Sequence, residues 1–287
     1  MAVTLISDVD ADRKIWRYMT LDKFIHLLDC EALYFSSLDS FMKSDPFEGM
    51  PPVVIMREIR KIVPISPLLK SALADIELKA KDMKTSAEVA GLFDALSNPV
   101  KAEHEEFKRL VIGLCKGHVV NCWHANDQES EAMWKLYGDS HRGIAIQTTV
   151  GKLQAALQSE EEIRIAEVIY SNYDSPSKDA LRHLLKCGLG PVMKRSSYSH
   201  EAELRAYFLP ADHKVGPEAT APQSKTVKVN SLGFIESVLI SPYAGEPYTS
   251  AVKAVSSKYN LGCDVRASSL LRGFENLFNL SEQEQFF

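Results

Sequence analysis

The chain has 287 residues, of which 45% are hydrophobic and 25% are charged. These proportions are typical of a globular protein and exclude disorder over most of the length. The formal net charge of −5 argues against a broad basic surface for nucleic acid. No stretch approaches the ~18 apolar residues of a membrane-spanning helix, so we expect no membrane partner.

Five cysteines are scattered along the chain. The polar start of the sequence does not resemble a secretory signal segment, so we expect free thiols in a reducing cytoplasm. Four residues of zinc-binding type occur close together, but their spacing matches no common zinc motif and no metal site is predicted. They are Cys115, His118, Cys122 and His124.

The first forty residues predict a strand, a helix and a second strand. Residues 15–19 and 33–36 have β character. Between them, Thr20 precedes a run whose apolar residues repeat at helical spacing. These residues are Leu21, Phe24, Ile25 and Leu28.

Residues 53–113 have a helical pattern, with a capping box formed by Thr85 and Glu88. We interpret this stretch as a helical insertion into an α+β core that comprises residues 1–52 and 114–287. Predicted strands of the core lie at residues 118–123, 143–147, 163–170, 203–209, 234–240 and 263–265.

Helices are predicted at residues 150–157, 177–194 and 250–259, with a short one capped by Asn126 or Asp127 and ending at Gly138. Strands and helices do not alternate regularly, which predicts an α+β fold with a mixed or antiparallel sheet. The glycine-rich loops of dinucleotide-binding and P-loop proteins do not occur.

Glu201, Glu203 and Arg205 occupy alternate positions of a predicted strand. Side chains two residues apart lie on one face of a strand, so we expect the two carboxylates to lie together. One would contact a sugar hydroxyl while the other acts as a general base, and Arg205 would keep the pair ionised. The alternative is an exposed strand edge with an ordinary ion pair.

A second group of candidates lies in the amino-terminal unit. Arg17 suits phosphate, and the nearby hydroxyl groups of Tyr18, Tyr34 and Ser36 suit ribose or amide groups. The alternative is that Tyr18 packs inward while Arg17 lies in water.

Trp134 and Tyr137 are three residues apart on a predicted helix. Their rings would lie on one face and sandwich a planar ligand, although aromatic residues at this spacing also fill cores.

The loop at residues 39–49 displays two further carboxylates, those of Asp45 and Glu48. In the alternative interpretation, Phe47 simply plugs the core.

These motifs occur in an order that resembles a bacterial family, domain of unknown function 2971. Trp-Arg-Tyr precedes a leucine-rich helix, and Leu-Tyr-Phe-Ser and Phe-x-x-x-Asp-Pro-Phe-Glu follow it. Later come Met-Trp-x-x-Tyr-x-x-x-x-x-Gly-Ile-Ala-Ile, Val-Ile-Tyr and Glu-x-Glu-x-Arg. The resemblance extends over roughly residues 15–272 and is weakest after Gly49.

The order of elements is also similar to that of ADP-ribosyltransferases. In that class an Arg or His of the first strand contacts NAD, a hydroxyl residue supports the nicotinamide ribose, and a late glutamate stabilises an oxocarbenium-like transition state. The resemblance implies that Arg17 takes the first role and Tyr34 or Ser36 the second. Glu203, or else Glu201, takes the third.

The same resemblance implies further NAD contacts. Trp134 or Tyr137 would stack on nicotinamide, and Tyr18 and Arg205 would complete the binding site. The chain lacks the Ser-Thr-Ser motif of that class.

We therefore expect an NAD-dependent ADP-ribosyltransferase or glycohydrolase that modifies an unidentified protein or nucleic acid. Such an enzyme would act as a toxin or as an antiviral effector in phage defence. One alternative is a non-enzymatic module that binds a ligand or partner through its aromatic and acidic residues. Another is a metal-dependent hydrolase in which Asp45, Glu48, Glu201 and Glu203 converge on Mg²⁺.

Overall fold

The computed structural model describes residues 3–6, 9–62, 67–80, 85–138, 142–175, 182, 186–188, 190–213 and 221–271. Within these residues the chain combines a large mixed sheet with several helices, so the predicted α+β class is confirmed. No helix of the described part is both long and apolar enough to cross a membrane. All five cysteines are free thiols.

The strands are β1 (Thr4–Leu5), β2 (Lys14–Met19), β3 (Ala32–Ser37), β4 (Val119–Ala125), β5 (Ile144–Thr149), β6 (Leu157–Gln158), β7 (Arg164–Glu167), β8 (Ile169–Ser171), β9 (Met193–Arg195), β10 (Glu203–Phe208), β11 (Lys225–Val229), β12 (Ser237–Ile240) and β13 (Asp264–Ala267). The α-helices are α1 (Leu21–Cys30), α2 (Val53–Ile62), α3 (Pro67–Ala80), α4 (Ser86–Lys116), α5 (Glu131–Tyr137), α6 (Val150–Ala156) and α7 (Tyr248–Lys258). Short 3-10 helices lie at Leu38–Lys43, Ser196–Glu201 and Leu232–Phe234.

Eleven of the described strands form one sheet, with the main order β1-β7-β10-β4-β2-β5-β12-β13. A branch leaves β4 through β3, β11 and β6, while β8 and β9 form a separate pair. Pairing in the large sheet is antiparallel except for β1 with β7 and β12 with β13. A mostly antiparallel sheet of this kind leaves one face free to carry a site.

The sheet forks at β4. One edge of β4 pairs with β10 along its length. On the other edge, β2 pairs opposite His124 and Ala125, whereas β3 pairs opposite Val119 and Val120. Residues 121–123 lie between these two pairings, so β2 and β3 diverge there. Backbone N–H and C=O groups at such a fork have no hydrogen-bond partner on a neighbouring strand. A side chain therefore has to form those hydrogen bonds.

The period-two alternation of β2 places its side chains in two different clusters. Ile15 and Met19 join the main core, to which α1, α6 and α7 contribute apolar residues. Trp16 and Tyr18 join a smaller cluster with α5 instead. The inward packing of Tyr18 therefore agrees with the more conservative interpretation of this strand. Arg17 lies on the same face of β2 as Ile15 and Met19, at the fork.

The helical character predicted for residues 53–113 is confirmed in α2, α3 and α4. Thr85 and Glu88 make both hydrogen bonds of the expected capping box at the start of α4. Ile55 of α2 packs against Met193 of β9. The helical stretch therefore contacts β9, a strand that contributes to the candidate site described below. The domain boundaries themselves remain predictions.

Several local predictions differ from the structure. Ser130, not Asn126 or Asp127, caps α5, because its hydroxyl accepts from the backbone N–H of Met133. The strand predicted at residues 163–170 is divided into β7 and β8. The strand predicted at 234–240 begins only at Ser237, after a 3-10 turn.

The helix predicted at residues 177–194 is wrong at its end, where residues 193–195 form β9 and pair in parallel with β8. Most of the rest of this predicted helix lies outside the described residues. Tertiary pairing, which the local sequence does not reveal, determines the conformation of residues 193–195.

Gly190 precedes β9 and has a positive φ of 99°. A Cβ at this position would collide with the backbone carbonyl of Cys115. We expect Gly190→Ala to destabilise the protein by more than about 2 kcal/mol, because strain and collision add. Urea denaturation followed by circular dichroism measures this free energy of unfolding. The matched control is Gly91→Ala, in α4, where a Cβ meets no atom within 4 Å.

The control should be stabilised by roughly 0.5–1 kcal/mol, since alanine favours a helix over glycine. Equal stability of the two variants would contradict the packing described for Gly190.

Candidate active site

Five charged side chains from three separate segments form a buried cluster. Lys194 of β9 lies at its centre and forms ion pairs with three glutamates. Its Nζ is 2.6 Å from Glu203 and 3.4 Å from Glu48, and it also contacts Glu201. Arg205 completes the cluster through Glu203 at 2.7 Å and Glu48 at 2.8 Å. Every member is buried, so the pairing compensates for lost hydration.

Both carboxylate oxygens of Glu203 are engaged by cations. One oxygen accepts from Lys194 and the other from the Nε of Arg205. Burial alone would raise the pKa of Glu203, but the charges of Arg205 and Lys194 outweigh it and hold the pKa well below its usual value. Glu203 is therefore an ionised carboxylate. Arg205 is anchored further by donating to the carbonyl of Pro191.

Glu201 does not lie on the strand, contrary to the period-two expectation. It ends the 3-10 helix Ser196–Glu201, and Ala202 follows with a left-handed φ of 39°. β10 starts only at Glu203. The two carboxyl groups still meet, because Lys194 draws both toward one ammonium group. The predicted proximity was right, but its cause is an ion pair and not strand alternation.

Glu201 differs from Glu203 in its protonation. Burial, followed by its hydrogen bond to Glu203 and the charge of that residue, raises the pKa of Glu201 to about 7. Its carboxyl group pairs with Lys194, while the described ion pairs of Arg205 go to Glu203 and Glu48. Arg205 therefore keeps only one of the pair ionised. Glu201 is the member that can gain or lose a proton near neutral pH.

The loop after the 3-10 helix Leu38–Lys43 reverses the expected orientation of its side chains. Asp45 and Glu48 are buried, whereas Phe47 is about half exposed. Asp45 pairs with Arg195 at 2.6 Å, and the Arg195 guanidinium lies over the Phe47 ring. The interpretation of Phe47 as a core plug is wrong, because cations of β9 and β10 pair with Asp45 and Glu48 and hold these two carboxylates inward.

A cavity of about 350 Å³ opens beside this cluster. Glu48, Lys194 and the carboxyl groups of Glu201 and Glu203 form its charged wall. The facing wall is apolar and aromatic and comes from β2, β4 and α5. Its members are Trp16, Tyr18, Trp123, His124, Met133, Leu136 and Tyr137.

A second cavity of about 580 Å³ lies at the fork of the sheet. Arg17, Tyr34 and Ser36 line it, together with Asp22 and Lys23 of α1. The two cavities share four lining residues. These are Tyr18, Phe41, Cys122 and Tyr137. The cavities therefore adjoin, and their combined size lies within the range of roughly 300–1,000 Å³ typical of ligand sites.

Arg17 bridges the fork. Its guanidinium donates to the carbonyl of Cys122 at 3.1 Å and to that of Tyr34 at 3.4 Å. It also lies 5.8 Å from the centre of the Trp123 ring. Burial lowers the pKa of Arg17 to about 10. No described carboxylate forms an ion pair with it, so this cation still lacks an anion.

The two aromatic candidates of α5 have different surroundings. The Trp134 indole is buried, donates to Glu129 and packs edge-on against Tyr18 at 4.9 Å. It lines neither cavity, so the proposed sandwich of Trp134 and Tyr137 around a ligand is not formed. Tyr137 is 44% exposed and lies at the junction of the cavities. Tyr18 lines both cavities through its ring, while its hydroxyl accepts from Ser130.

The carboxylates expected to bind Mg²⁺ do converge, but on cations of the protein. The Nζ of Lys194 and the guanidinium of Arg205 occupy the space between Glu48, Glu201 and Glu203. No group of three or more His, Cys, Asp and Glu side chains within the described ranges is arranged to hold a metal ion.

Sequence reasoning missed Lys194, the centre of the cluster. It was placed at the end of a helix, and a lysine there carries no sequence signal that it is buried. His124 was noted among four residues of zinc-binding type but was not chosen as a site residue. It is 4% exposed and lines the cavity beside the carboxyl groups.

Comparison with known proteins identifies one family. Residues 133–206 match the family described as "Protein of unknown function (DUF2971)". This match agrees with the resemblance that the ordered motifs predicted, and the matched segment contains Lys194, Glu201, Glu203 and Arg205. Neither the curated proteins nor the solved structures gave a match to the chain.

The central role of Lys194 predicts a pH-dependent loss of stability in Lys194→Met. At pH 8.5 the change leaves the ionised carboxylates of Glu201 and Glu203 together in a buried site. The free energy of unfolding should fall by about 3–5 kcal/mol. At pH 5.5 Glu201 takes up a proton in the folded state, because its pKa is already raised. The loss relative to wild type should therefore be smaller at pH 5.5. Urea denaturation at both pH values measures it.

Lys152→Met is the matched control, since Lys152 forms an exposed ion pair with Glu236. Its stability should stay within about 0.5 kcal/mol of wild type at both pH values. A loss in Lys194→Met that is small, or that grows at low pH, would refute the proposed arrangement of charges.

Proposed function

We propose that this chain, whose residues 133–206 match the DUF2971 family, is an enzyme that consumes NAD by breaking its nicotinamide–ribose bond. Transfer of ADP-ribose to a protein or nucleic acid makes it an ADP-ribosyltransferase, and transfer to water makes it a glycohydrolase. One observation carries the proposal. A cavity with a titratable carboxyl cluster adjoins a cavity whose wall holds the unneutralised cation of Arg17.

The two cavities suit the two ends of NAD. Arg17 supports binding of the anionic diphosphate, since a guanidinium lacking an anionic partner gains from phosphate oxygens. The hydroxyl groups of Tyr34 and Ser36 lie in the same cavity and suit ribose. Tyr137 lies where the cavities meet, beside the aromatic wall that suits a planar ring. The residues present therefore fit the molecule.

The charge of the cluster suits cleavage of this bond. The C–N bond breaks with its electron pair leaving on nicotinamide, and the ribose carbon becomes positive. That carbon then bonds to an oxygen or nitrogen of the acceptor, which releases its proton to water. With Glu201 ionised, three carboxylates face two cations, and the cluster has a net charge of −1. A fixed negative charge in a dry cavity stabilises the positive ribose.

We assign the catalytic role to Glu201. Glu203 has both oxygens in ion pairs and acts as a positioning residue, since it holds Lys194 and influences the protonation of Glu201. This assignment reverses the order of preference drawn from the sequence, in which Glu203 came first. Leu136 and Tyr137 are exposed at the cavity, and an acceptor would approach beside them. A macromolecular acceptor fits a toxin or a phage-defence effector.

The first functional prediction concerns Glu201→Gln. Wild-type protein mixed with NAD should release nicotinamide, and the variant should release it at least ~100-fold more slowly, because it lacks the stabilising charge. The wild-type rate should rise between pH 6 and pH 8 with a midpoint near 7, as Glu201 loses its proton. Chromatographic measurement of nicotinamide, with candidate acceptors present and absent, gives both results.

Glu162→Gln is the control, since Glu162 forms an exposed ion pair with Arg164 outside both cavities. It should keep the wild-type rate and pH profile. Nicotinamide release that persists in Glu201→Gln would remove Glu201 from the chemistry. NAD binding without any turnover would favour the non-enzymatic binding module.

The second functional prediction concerns Arg17→Lys. The lysine keeps the charge but loses the paired donors, so NAD and ADP-ribose should bind roughly 10- to 100-fold more weakly. Nicotinamide riboside, which has no phosphate, should bind as it does to wild type. Calorimetric titration distinguishes these ligands.

Arg13→Met is the matched control, because Arg13 pairs with Glu167 away from the cavities. Equal weakening of all three ligands by Arg17→Lys would show that Arg17 only supports the fork of the sheet.

A further inference from the structure

His124 lies in the middle of the sheet, directly beside the carboxyl cluster. Its Cα pairs with that of Glu203 across β4 and β10. Its ring lines the cavity, packs edge-on against Tyr18 at 6.2 Å, and is almost fully buried. No step assigned above uses this side chain.

The hydrogen bond of one ring nitrogen fixes the tautomer of His124. Nδ1 lies 2.6 Å from the backbone carbonyl oxygen of Glu201. A carbonyl oxygen only accepts, so Nδ1 carries the proton. Burial lowers the pKa of His124, which favours the neutral ring. Nε2 is therefore an acceptor with a free lone pair.

This acceptor is buried and unused. Among the described residues, Nε2 of His124 has no hydrogen-bond partner. Oδ2 of Asp45, a second residue that lines the cavity, is also buried without a partner. Buried polar atoms normally find partners, because an unmade hydrogen bond is costly. Both atoms are acceptors, so a ligand that carries hydrogen-bond donors would satisfy them.

The surroundings of His124 narrow the chemistry of that ligand. Trp16, Tyr18 and Met133 belong to one apolar cluster, and all three line the cavity with His124. Apolar and aromatic walls suit a flat ring, and aromatic faces also accommodate a ring that is positively charged. An acceptor within such walls selects a ring that carries a neutral N–H donor.

We infer that Nε2 of His124 accepts a hydrogen bond from the carboxamide N–H of the nicotinamide ring and so selects NAD over analogues that lack this donor. This inference rests on the proposed function and names the residue that recognises nicotinamide, the leaving group. Leu136 and Tyr137, at the end of α5, line the same cavity and are about half exposed. His124 is a specificity-determining residue of the site.

Two substitutions separate the two ring nitrogens. In His124→Asn, the amide nitrogen occupies the place of Nδ1 and still donates to the Glu201 carbonyl, while the acceptor at Nε2 is lost. In His124→Gln, the longer side chain restores a polar atom at the position of Nε2. The ligands are NAD and its 3-acetylpyridine analogue, in which an acetyl group without N–H replaces the carboxamide.

Dissociation constants are measured by calorimetry in the Glu201→Gln background, so that neither ligand is turned over. Without a change at position 124, NAD should bind roughly 3- to 10-fold more tightly than the analogue, the value of one hydrogen bond. His124→Asn should lose this preference by weakening NAD alone. His124→Gln should recover part of it.

The possible failures are distinct. If neither dinucleotide binds to the Glu201→Gln protein or to wild type, the proposed function is wrong. If both bind with equal affinity, or if His124→Asn keeps the preference for NAD, NAD remains the ligand but His124 does not read the carboxamide. Equal weakening of both ligands by His124→Asn would assign the residue a structural role and overturn the inference.

Discussion

A buried network of ion pairs connects parts of the chain that are far apart in sequence. Lys194 and Arg205 hold Glu48 from the loop before α2, Glu201 from a 3-10 turn and Glu203 from β10. Each charge has left water, and an unpaired charge at the same depth would cost several kcal/mol. The loop, β9 and β10 therefore adopt positions that satisfy one another. The adjoining cavity takes its charged wall from the same requirement.

The same network explains why Glu201, and not Glu203, has a carboxyl group that is available for chemistry. Two cations neutralise Glu203, and its pKa falls well below the ordinary value. Burial and the neighbouring charge of Glu203 raise the pKa of Glu201 to about 7, and Lys194 is its one ion-pair partner among the described residues. Neighbouring carboxyl groups whose pKa values are driven apart in this way are a recurrent feature of acid–base sites. At the fork of the sheet, Arg17 provides the opposite feature, a cation that forms no ion pair with any carboxylate in the described part of the chain.

Local sequence predicted the elements whose contacts are local. The strand–helix–strand unit and the Thr85–Glu88 capping box depend on residues a few positions apart, and both are present. The site depends on long-range pairing. Lys194 was predicted to end a helix, because its position does not reveal the buried glutamates around it. Phe47 was an alternative core residue, because its position does not reveal that Arg195 lies against its ring. The period-two argument for Glu201 failed because the left-handed turn at Ala202 separates it from the strand.

The candidate site extends beyond the segment that defines the family match. Lys194, Glu201, Glu203 and Arg205 fall within residues 133–206, whereas Glu48, Arg17 and His124 lie before them. Arg205 is buried with two carboxylate partners, and one of them, Glu48, comes from the earlier part. The matched segment alone would therefore leave a buried guanidinium half compensated. The motif around Asp45 and Glu48 and the Glu-x-Glu-x-Arg motif thus act as one unit, since the charges of each stabilise the burial of the other.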